Sequence, residues 1–231
     1  MGIARNPPRS RVSVLLTHDA WPMKETERAI VAVIDDDSSV REALRGLFET
    51  AALKVELYSS PAEYLRRQHS DATSCIVLDV RLPGSSGLDF QRELVRSGVQ
   101  TPVIFLTGHA DIAMGVQAMK SGAVEFLTKP YRDQALLEAV LSGIERDRAR
   151  RNSEEKFSDI LTRLDSLSPR ERQVMALAAA GHSNKQIGGK LEIGDVTARV
   201  HRRQVMRKMQ AKSLADLIRM ADLLAQRGVE L

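Results

Sequence analysis

Five short, largely apolar runs, each stopping at a polar residue, constrain this chain more than anything else in it. They are IVAVI at 30–34, KVELY at 54–58, CIVL at 75–78, PVIFL at 102–106 and AVEFL at 123–127. Runs of this length suit strands, and strands buried on both faces read as near-continuous apolar stretches. Helical stretches separate them, at about 38–51, 60–68 (Ser60 as N-cap, Pro61 at the first helical position), 86–98 (closed by Gly98), 111–122, and from about 132 to 144 or beyond. Strands alternating with helices call for a parallel sheet with right-handed crossovers. Residues 29–146 are therefore expected to form an α/β, doubly wound, five-stranded parallel sheet with strand order 2-1-3-4-5.

The polar residues that end these runs are the candidate site. In that order, strands 1 and 3 adjoin at the switch point, and open α/β sheets hold ligands at the C-terminal ends of their strands. Asp35 and Asp36 end the first run and Asp79 the third, so three carboxylates converge. Clustered carboxylates raise one another's pKa unless a cation neutralises them. Oxygen ligands in a partly open site suit Mg²⁺. The fourth run ends at Thr107, and Lys129 follows the fifth. A metal, a carboxylate nucleophile, a hydroxyl and an ammonium suit phosphoryl transfer to an aspartate. One polar residue at a strand end is ordinarily only a cap; this set, gathered at one sheet edge, is hard to explain that way.

Charge divides the chain. Residues 29–144 hold 11 Lys/Arg against 15 Asp/Glu, whereas residues 168–231 hold 12 against 6. An acidic part joined to a basic part implies two domains with different partners, the basic one a nucleic-acid candidate. Residues 167–231 read as a small all-α, four-helix domain. SPRE at 168–171 is a capping box, SNKQ at 183–186 and SLAD at 213–216 repeat the signal, and a further helix lies near 197–210. Between the two domains, the charge-dense ERDRARRNSEEKF reads as an exposed helix passing into a linker over 147–166.

The ends and the composition exclude other classes. Residues 1–28 lack periodicity, contain Pro7, Pro8 and Pro22, and are expected to be disordered; Met23 stands just before the first strand, so residues 1–22 are a candidate start-site extension. Arg5, Arg9 and Arg11 before a short apolar group make a poor signal peptide. No run is long enough to cross a bilayer. One cysteine, Cys75, rules out an internal disulfide and is consistent with a reducing compartment, so a cytoplasmic location is expected.

Within VTARVHRRQVMRKM at 196–209, two stripes recur at helical spacing. Ala198, His201, Val205 and Met209 form one; Val196, Arg199, Val200, Arg203 and Arg207 form the other, with Thr197 beside them. Arginine forks read guanine edges and an apolar group meets a thymine methyl, so the second stripe suits the major groove. Lys185, next to the cap at Ser183, is placed to hold a phosphate at a helix N-terminus.

VIDDD, VLDVRLPGSSGLD, VIFLTGHAD and AVEFLTKPY resemble, in order and spacing, the receiver domain of two-component response regulators. LSPRERQVMALAAAGHSNKQI, VHRRQVMRKM and AKSLADLIRMA resemble the LuxR-type helix-turn-helix module of the NarL/FixJ family, closest to its FixJ-like branch. The resemblance implies that Asp79 accepts a phosphoryl group from a sensor histidine kinase. Asp35 and Asp36 would hold Mg²⁺ together with Asp79 and the backbone carbonyl of Arg81. Thr107 and Lys129 would contact phosphoryl oxygens, and Phe126 would be the switch aromatic that turns inward. It further implies a scaffold helix at about 184–191, a recognition helix at about 195–209 and a dimerising helix at about 214–225, with His201 on the packed face. Homodimerisation on phosphorylation, binding to double-stranded promoter DNA and contact with RNA polymerase follow as expected partners, with no membrane. Two departures stand out: Gly188-Gly189 in the scaffold helix, each costing roughly 1 kcal/mol against alanine, and Gly194 where a capping serine is usual, leaving Asp195 as the expected cap. Two other functions fit parts of the sequence. One is a regulator that dimerises without phosphorylation. The other is an aspartyl phosphatase of the haloacid dehalogenase type, but that chemistry needs an acid two residues after the nucleophile, where this chain has Arg81.

Overall fold

The computed structural model describes residues 29–66, 73–108 and 112–231. The expected disorder and start-site extension within 1–28, the predicted helix end at 67–68, and Asp111 lie outside the described residues. The chain forms two compact units, one running to Ile144 and the other beginning at Glu145.

In the first unit, β1 (Ile30–Ile34), β2 (Lys54–Tyr58), β3 (Thr73–Asp79), β4 (Val103–Thr107) and β5 (Glu125–Thr128) form one sheet in the order β2-β1-β3-β4-β5, every pair parallel. The helices are α1 (Ser38–Thr50), α2 (Pro61–Arg66), α3 (Gly87–Arg96), α4 (Ile112–Lys120) and the start of α5 (Asp133–Asp165). Period-two alternation explains two cores. Val31, Val33, Cys75, Val77, Ile104 and Leu106 pack with Leu44 and Phe48 of α1 and Leu136 and Val140 of α5. Ala32, Ile34, Ile76, Leu78 and Phe105 face the other way, toward Tyr64 of α2, Phe90 and Leu94 of α3 and Ala118 of α4. Both faces of the central strands are covered, which is why IVAVI, CIVL and PVIFL show no polar alternation, whereas the edge strand β2 carries Lys54 and Glu56 in alternation with Val55 and Leu57.

The strand ends differ from expectation by one or two residues. β3 extends to Asp79 because that residue pairs with Leu106, and β4 includes Thr107, paired with Thr128. Ala123 and Val124 are buried but precede β5. A ladder partner sets such ends, and one strand's sequence does not reveal it. After β3 the chain makes a short antiparallel ladder, Arg81–Leu82 against Ser85–Ser86, and then enters α3.

In the second unit, α6 (Pro169–Ala179), α7 (Asn184–Leu191), α8 (Asp195–Lys208) and α9 (Leu214–Gln226) surround Val174, Met175, Ile187, Ala198, Val205, Leu217 and Leu224. The end of α5 joins this core. Ile160 and Leu164 are buried in it, and Phe157 and Leu161 pack against it. The stretch expected as an exposed helix passing into a linker is helical, but it is not exposed throughout: its apolar positions 157, 160, 161 and 164 lie on one stripe that packs into this core. Arg227 lies over the Phe157 ring at 4.8 Å, a cation–π contact.

The caps follow the expected chemistry with two exceptions. Both Ser168–Glu171 and Ser183–Gln186 close full capping boxes. Ser213 accepts from the Asp216 amide, but the Asp216 carboxylate bonds the Lys212 amide instead of completing the box. Asp195 does not cap α8: Gly194 is the N-cap, without a side-chain bond, and Asp195 lies within the first turn, 3.4 Å from Arg199. Capping requires extended backbone at the capping residue, and here Gly194 has it.

Candidate functional site

β1 and β3 are hydrogen-bonded neighbours, so the chains leaving Ile34 and Leu78 emerge side by side. Asp35, Asp36 and Asp79 each place a carboxylate oxygen within 4.8 Å of the others. Asp35 is buried and Asp36 faces solvent. Lys129 ties the group together: its Nζ donates to Asp79 Oδ2 at 2.7 Å and to Asp35 Oδ2 at 3.0 Å. The Lys129 amide donates to the Thr107 carbonyl at 2.6 Å, which fixes the lysine's backbone on the end of β4. The Arg81 amide donates to Asp79 Oδ1 at 3.0 Å, so both oxygens of Asp79 are oriented. Gly87 opens α3 directly over this strand end; a Cβ there would lie 2.5 Å from the Asp79 carbonyl oxygen, so the loop can return this closely only with glycine.

Charge in the crevice is unbalanced. Burial raises the Asp35 carboxyl above its ordinary pKa, outweighing the hydrogen bonds from the Asp37 amide and Lys129 that pull it down. Burial alone would lower Lys129, but its hydrogen bonds to Asp79 and Asp35 prevail and its pKa is raised. Lys129 therefore stays an ammonium at neutral pH. One ammonium against three carboxylates leaves room for a cation. The donors are all hard oxygens and one is open to water, which fits Mg²⁺. Thr107 is buried at the end of β4. Phe126 is half-buried in β5, its ring 6.3 Å from that of Phe105 and close beneath Gly115 of α4, where a Cβ would meet it at 3.4 Å. Arg81 has an exposed side chain.

In the second unit, α7 and α8 are joined by a turn in which Glu192 is left-handed (φ 53°). Gly188 lies against this turn: a Cβ would sit 2.8 Å from the Ile193 carbonyl oxygen. Gly189 has nothing within 4 Å of that position. Along α8, Ala198, Val205 and Met209 are fully buried and His201 is half-buried. Val196 and Val200 are 71 % and 53 % exposed, among exposed Thr197, Arg199, Arg203 and Arg207. Val196 and Val200 thus stand one turn apart on the exposed side of α8, among the arginines. Lys185 is exposed in the first turn of α7.

Residues 31–141 match the response regulator receiver domain, and residues 165–221 match the luxR family of bacterial regulatory proteins. The chain belongs to the NarL/FixJ family of two-component response regulators. It is 50 % identical over 197 residues to Nodulation protein W of Bradyrhizobium diazoefficiens, a match covering 85 % of this chain and 87 % of that one. It is 43 % identical to the transcriptional regulatory protein FixJ of Azorhizobium caulinodans, over 83 % of this chain and 90 % of that one. Among solved structures, response regulator StyR matches with a TM-score of 0.77 and 41 % identity, covering 84 % of this chain and 98 % of that one. A response regulator with these two domains takes its signal from a kinase and acts on DNA. Among the described residues, no helix is long and apolar enough to cross a membrane.

The structure of this response regulator adds residues that the sequence did not single out. Arg41 of α1 donates from Nη1 to the carbonyls of Asp35 and Asp36, at 2.6 and 3.0 Å. Arg202 turns back from α8 to the His182 carbonyl and Asn184 Oδ1, both at 3.2 Å, so it braces the helix pair instead of facing outward with its neighbours. Lys208, at the end of α8, donates to Glu171 Oε2 at 2.6 Å and to the Ser166 carbonyl at 3.0 Å, anchoring α8 on the capping box of α6. Burial alone would raise Glu171, but the bonds from Lys208 and Ser168 hold its carboxyl below its ordinary pKa. The capping box was legible as SPRE; nothing in that motif signals a lysine 37 residues away.

Proposed function

We propose that residues 29–146 act as the phospho-acceptor domain and that Asp79 is the acceptor. A phosphohistidine of the sensor kinase presents its phosphorus to an Asp79 carboxylate oxygen; the P–O bond forms, the P–N bond breaks, and the imidazole leaves to take up a proton. Asp35, Asp36, Asp79 and the Arg81 carbonyl would hold Mg²⁺, which when bound neutralises charge on the phosphoryl oxygens. Lys129 supplies further positive charge beside Asp79, and the Thr107 hydroxyl contacts a phosphoryl oxygen. Movement of Thr107 lets Phe126 turn inward and changes the α4–β5–α5 face, through which two copies pair. The paired domains at 167–231 then engage two half-sites of promoter DNA in the cytoplasm and affect RNA polymerase. There Val196, Thr197, Arg199, Val200, Arg203 and Arg207 read or track the major groove, and Lys185 holds a phosphate.

The observation that carries this reading is the Asp79 carboxylate itself. It stands at the switch point of the sheet, held at 2.7 Å by Lys129 and within a three-carboxylate cluster. Incubation with Mg²⁺ and a small-molecule phosphodonor should add one acid-labile phosphoryl group, and Asp79→Asn should abolish it. Labelling that persists in the mutant would place the acceptor elsewhere.

A further inference from the structure

We propose that Arg41 is a positioning residue of the acidic site, one that sets metal affinity by holding the backbone of the two adjacent acids. The inference rests on the reading that Asp35, Asp36 and Asp79 hold a divalent cation. The loop from β1 to α1 carries Asp35 and Asp36 on two consecutive peptides. Its geometry is fixed from three directions. Asp37 caps α1 by accepting from the Ser39 amide at 2.8 Å. The Asp37 amide donates back to Asp35 Oδ1 at 2.9 Å, orienting that carboxylate. Arg41 reaches back from the first turns of α1 and donates from one nitrogen to both the Asp35 and the Asp36 carbonyl, at 2.6 and 3.0 Å.

The chemistry of the last contact is specific. Two successive carbonyls that accept from one nitrogen converge on it, bringing their negative oxygen ends together, and an ionised donor offsets that repulsion better than a neutral one. The Arg41 guanidinium is such a donor. Among the described residues Arg41 makes no ion pair, so its charge is spent on these carbonyls and not on the carboxylates. It therefore leaves the carboxylate oxygens available to a metal while restricting the peptides that carry them. Without it, the Asp36 carboxylate, which is exposed and accepts no hydrogen bond among the described residues, would stand on a peptide that has lost one of the loop's three restraints. Residues that orient metal ligands from behind typically account for 10–100-fold in affinity.

Mg²⁺ binding to the full chain, followed by isothermal titration calorimetry in the absence of phosphodonor, tests this directly. Arg41→Ala should weaken Mg²⁺ binding by about 10-fold or more. Arg41→Lys, which retains a cation and donors, should recover part of the loss, whereas Arg41→Gln, which retains donors without charge, should recover less. Labelling from a small phosphodonor should need correspondingly more Mg²⁺ in the alanine variant and approach the wild-type rate at saturation. Wild-type Mg²⁺ affinity in Arg41→Ala overturns the proposal, as does a labelling defect that is the same at every Mg²⁺ concentration. Should Arg41→Ala fail to fold, the lysine and glutamine variants carry the test, and equal wild-type affinity in both overturns it. Failure of the wild-type protein to bind Mg²⁺ would instead overturn the underlying reading of the site.

Discussion

Replacing each of two adjacent glycines in α7 by alanine should change stability in opposite directions. Alanine in a helix interior is favoured over glycine by ~1 kcal/mol. At Gly189 a new Cβ meets nothing within 4 Å, so Gly189→Ala should realise most of that gain. For a unit of this size, ~1 kcal/mol corresponds to a rise in Tm of roughly 4–8 °C. At Gly188 the same Cβ would lie 2.8 Å from the Ile193 carbonyl oxygen and 3.6 Å from both Gly194 C and Asp195 N. These are backbone atoms of the turn, so relief requires the turn to move by several tenths of an ångström. That movement strains the bond from the Ile193 amide to the Gly188 carbonyl, now 2.9 Å. Overpacking of this kind costs ~1–3 kcal/mol, which exceeds the propensity gain, and the net change should be a loss of up to ~2 kcal/mol. Urea unfolding followed by far-ultraviolet circular dichroism gives the sign for each variant, and hydrogen exchange over 184–209 assigns it to the helix pair. Equal stabilisation by both substitutions would show that the turn does not press on Gly188.

Lys129→Ala should reduce phosphorylation-dependent dimerisation even where some Asp79 labelling remains; sedimentation of the labelled mutant checks this, and wild-type dimerisation would remove the lysine from the coupling. Arg203→Ala should weaken specific binding by ~1–3 kcal/mol and relax preference at particular bases. Lys185→Ala should weaken all sequences alike and lower the salt slope by about one unit. Binding to an operator and to unrelated DNA across a salt series separates the two, and equal losses on both DNAs for Arg203→Ala would make that arginine a phosphate contact only. Because burial raises the Asp35 pKa, protons compete with Mg²⁺ there at a higher pH than at an exposed aspartate. Mg²⁺ affinity should therefore decline, as pH falls, from above the ordinary carboxylate range, and an affinity constant down to that range contradicts the assignment. In the metal-free protein the linkage for stability runs the other way: the folded state holds this proton more tightly than the unfolded chain, so stability falls as pH rises through the raised value.

Much of this protein is determined locally, and the sequence by itself determines that part. The apolar runs IVAVI, CIVL and PVIFL, each followed by a carboxylate or a hydroxyl, specify the central strands of a parallel sheet covered on both faces, because such strands lack polar alternation. The sheet order then brings Asp35 and Asp79 to one edge without any knowledge of distances. The boxes at Ser168 and Ser183 likewise depend on residues three apart, and both form as read. What depends on partners distant in sequence was decided by the tertiary structure. The ends of β3 and β4 await their ladder neighbours. The charged stretch before residue 167 hid four apolar positions, whose burial became legible only once α6 to α9 supplied a core for them. Arg41 and Arg202 look like any solvated arginine on a helix until the carbonyls they reach are in place. Gly188 and Gly189 are identical in sequence terms, yet the turn packs against one and leaves the other open. Side-chain type and spacing set periodicity and caps, whereas a contact across many residues exists only after the chain has folded back upon itself.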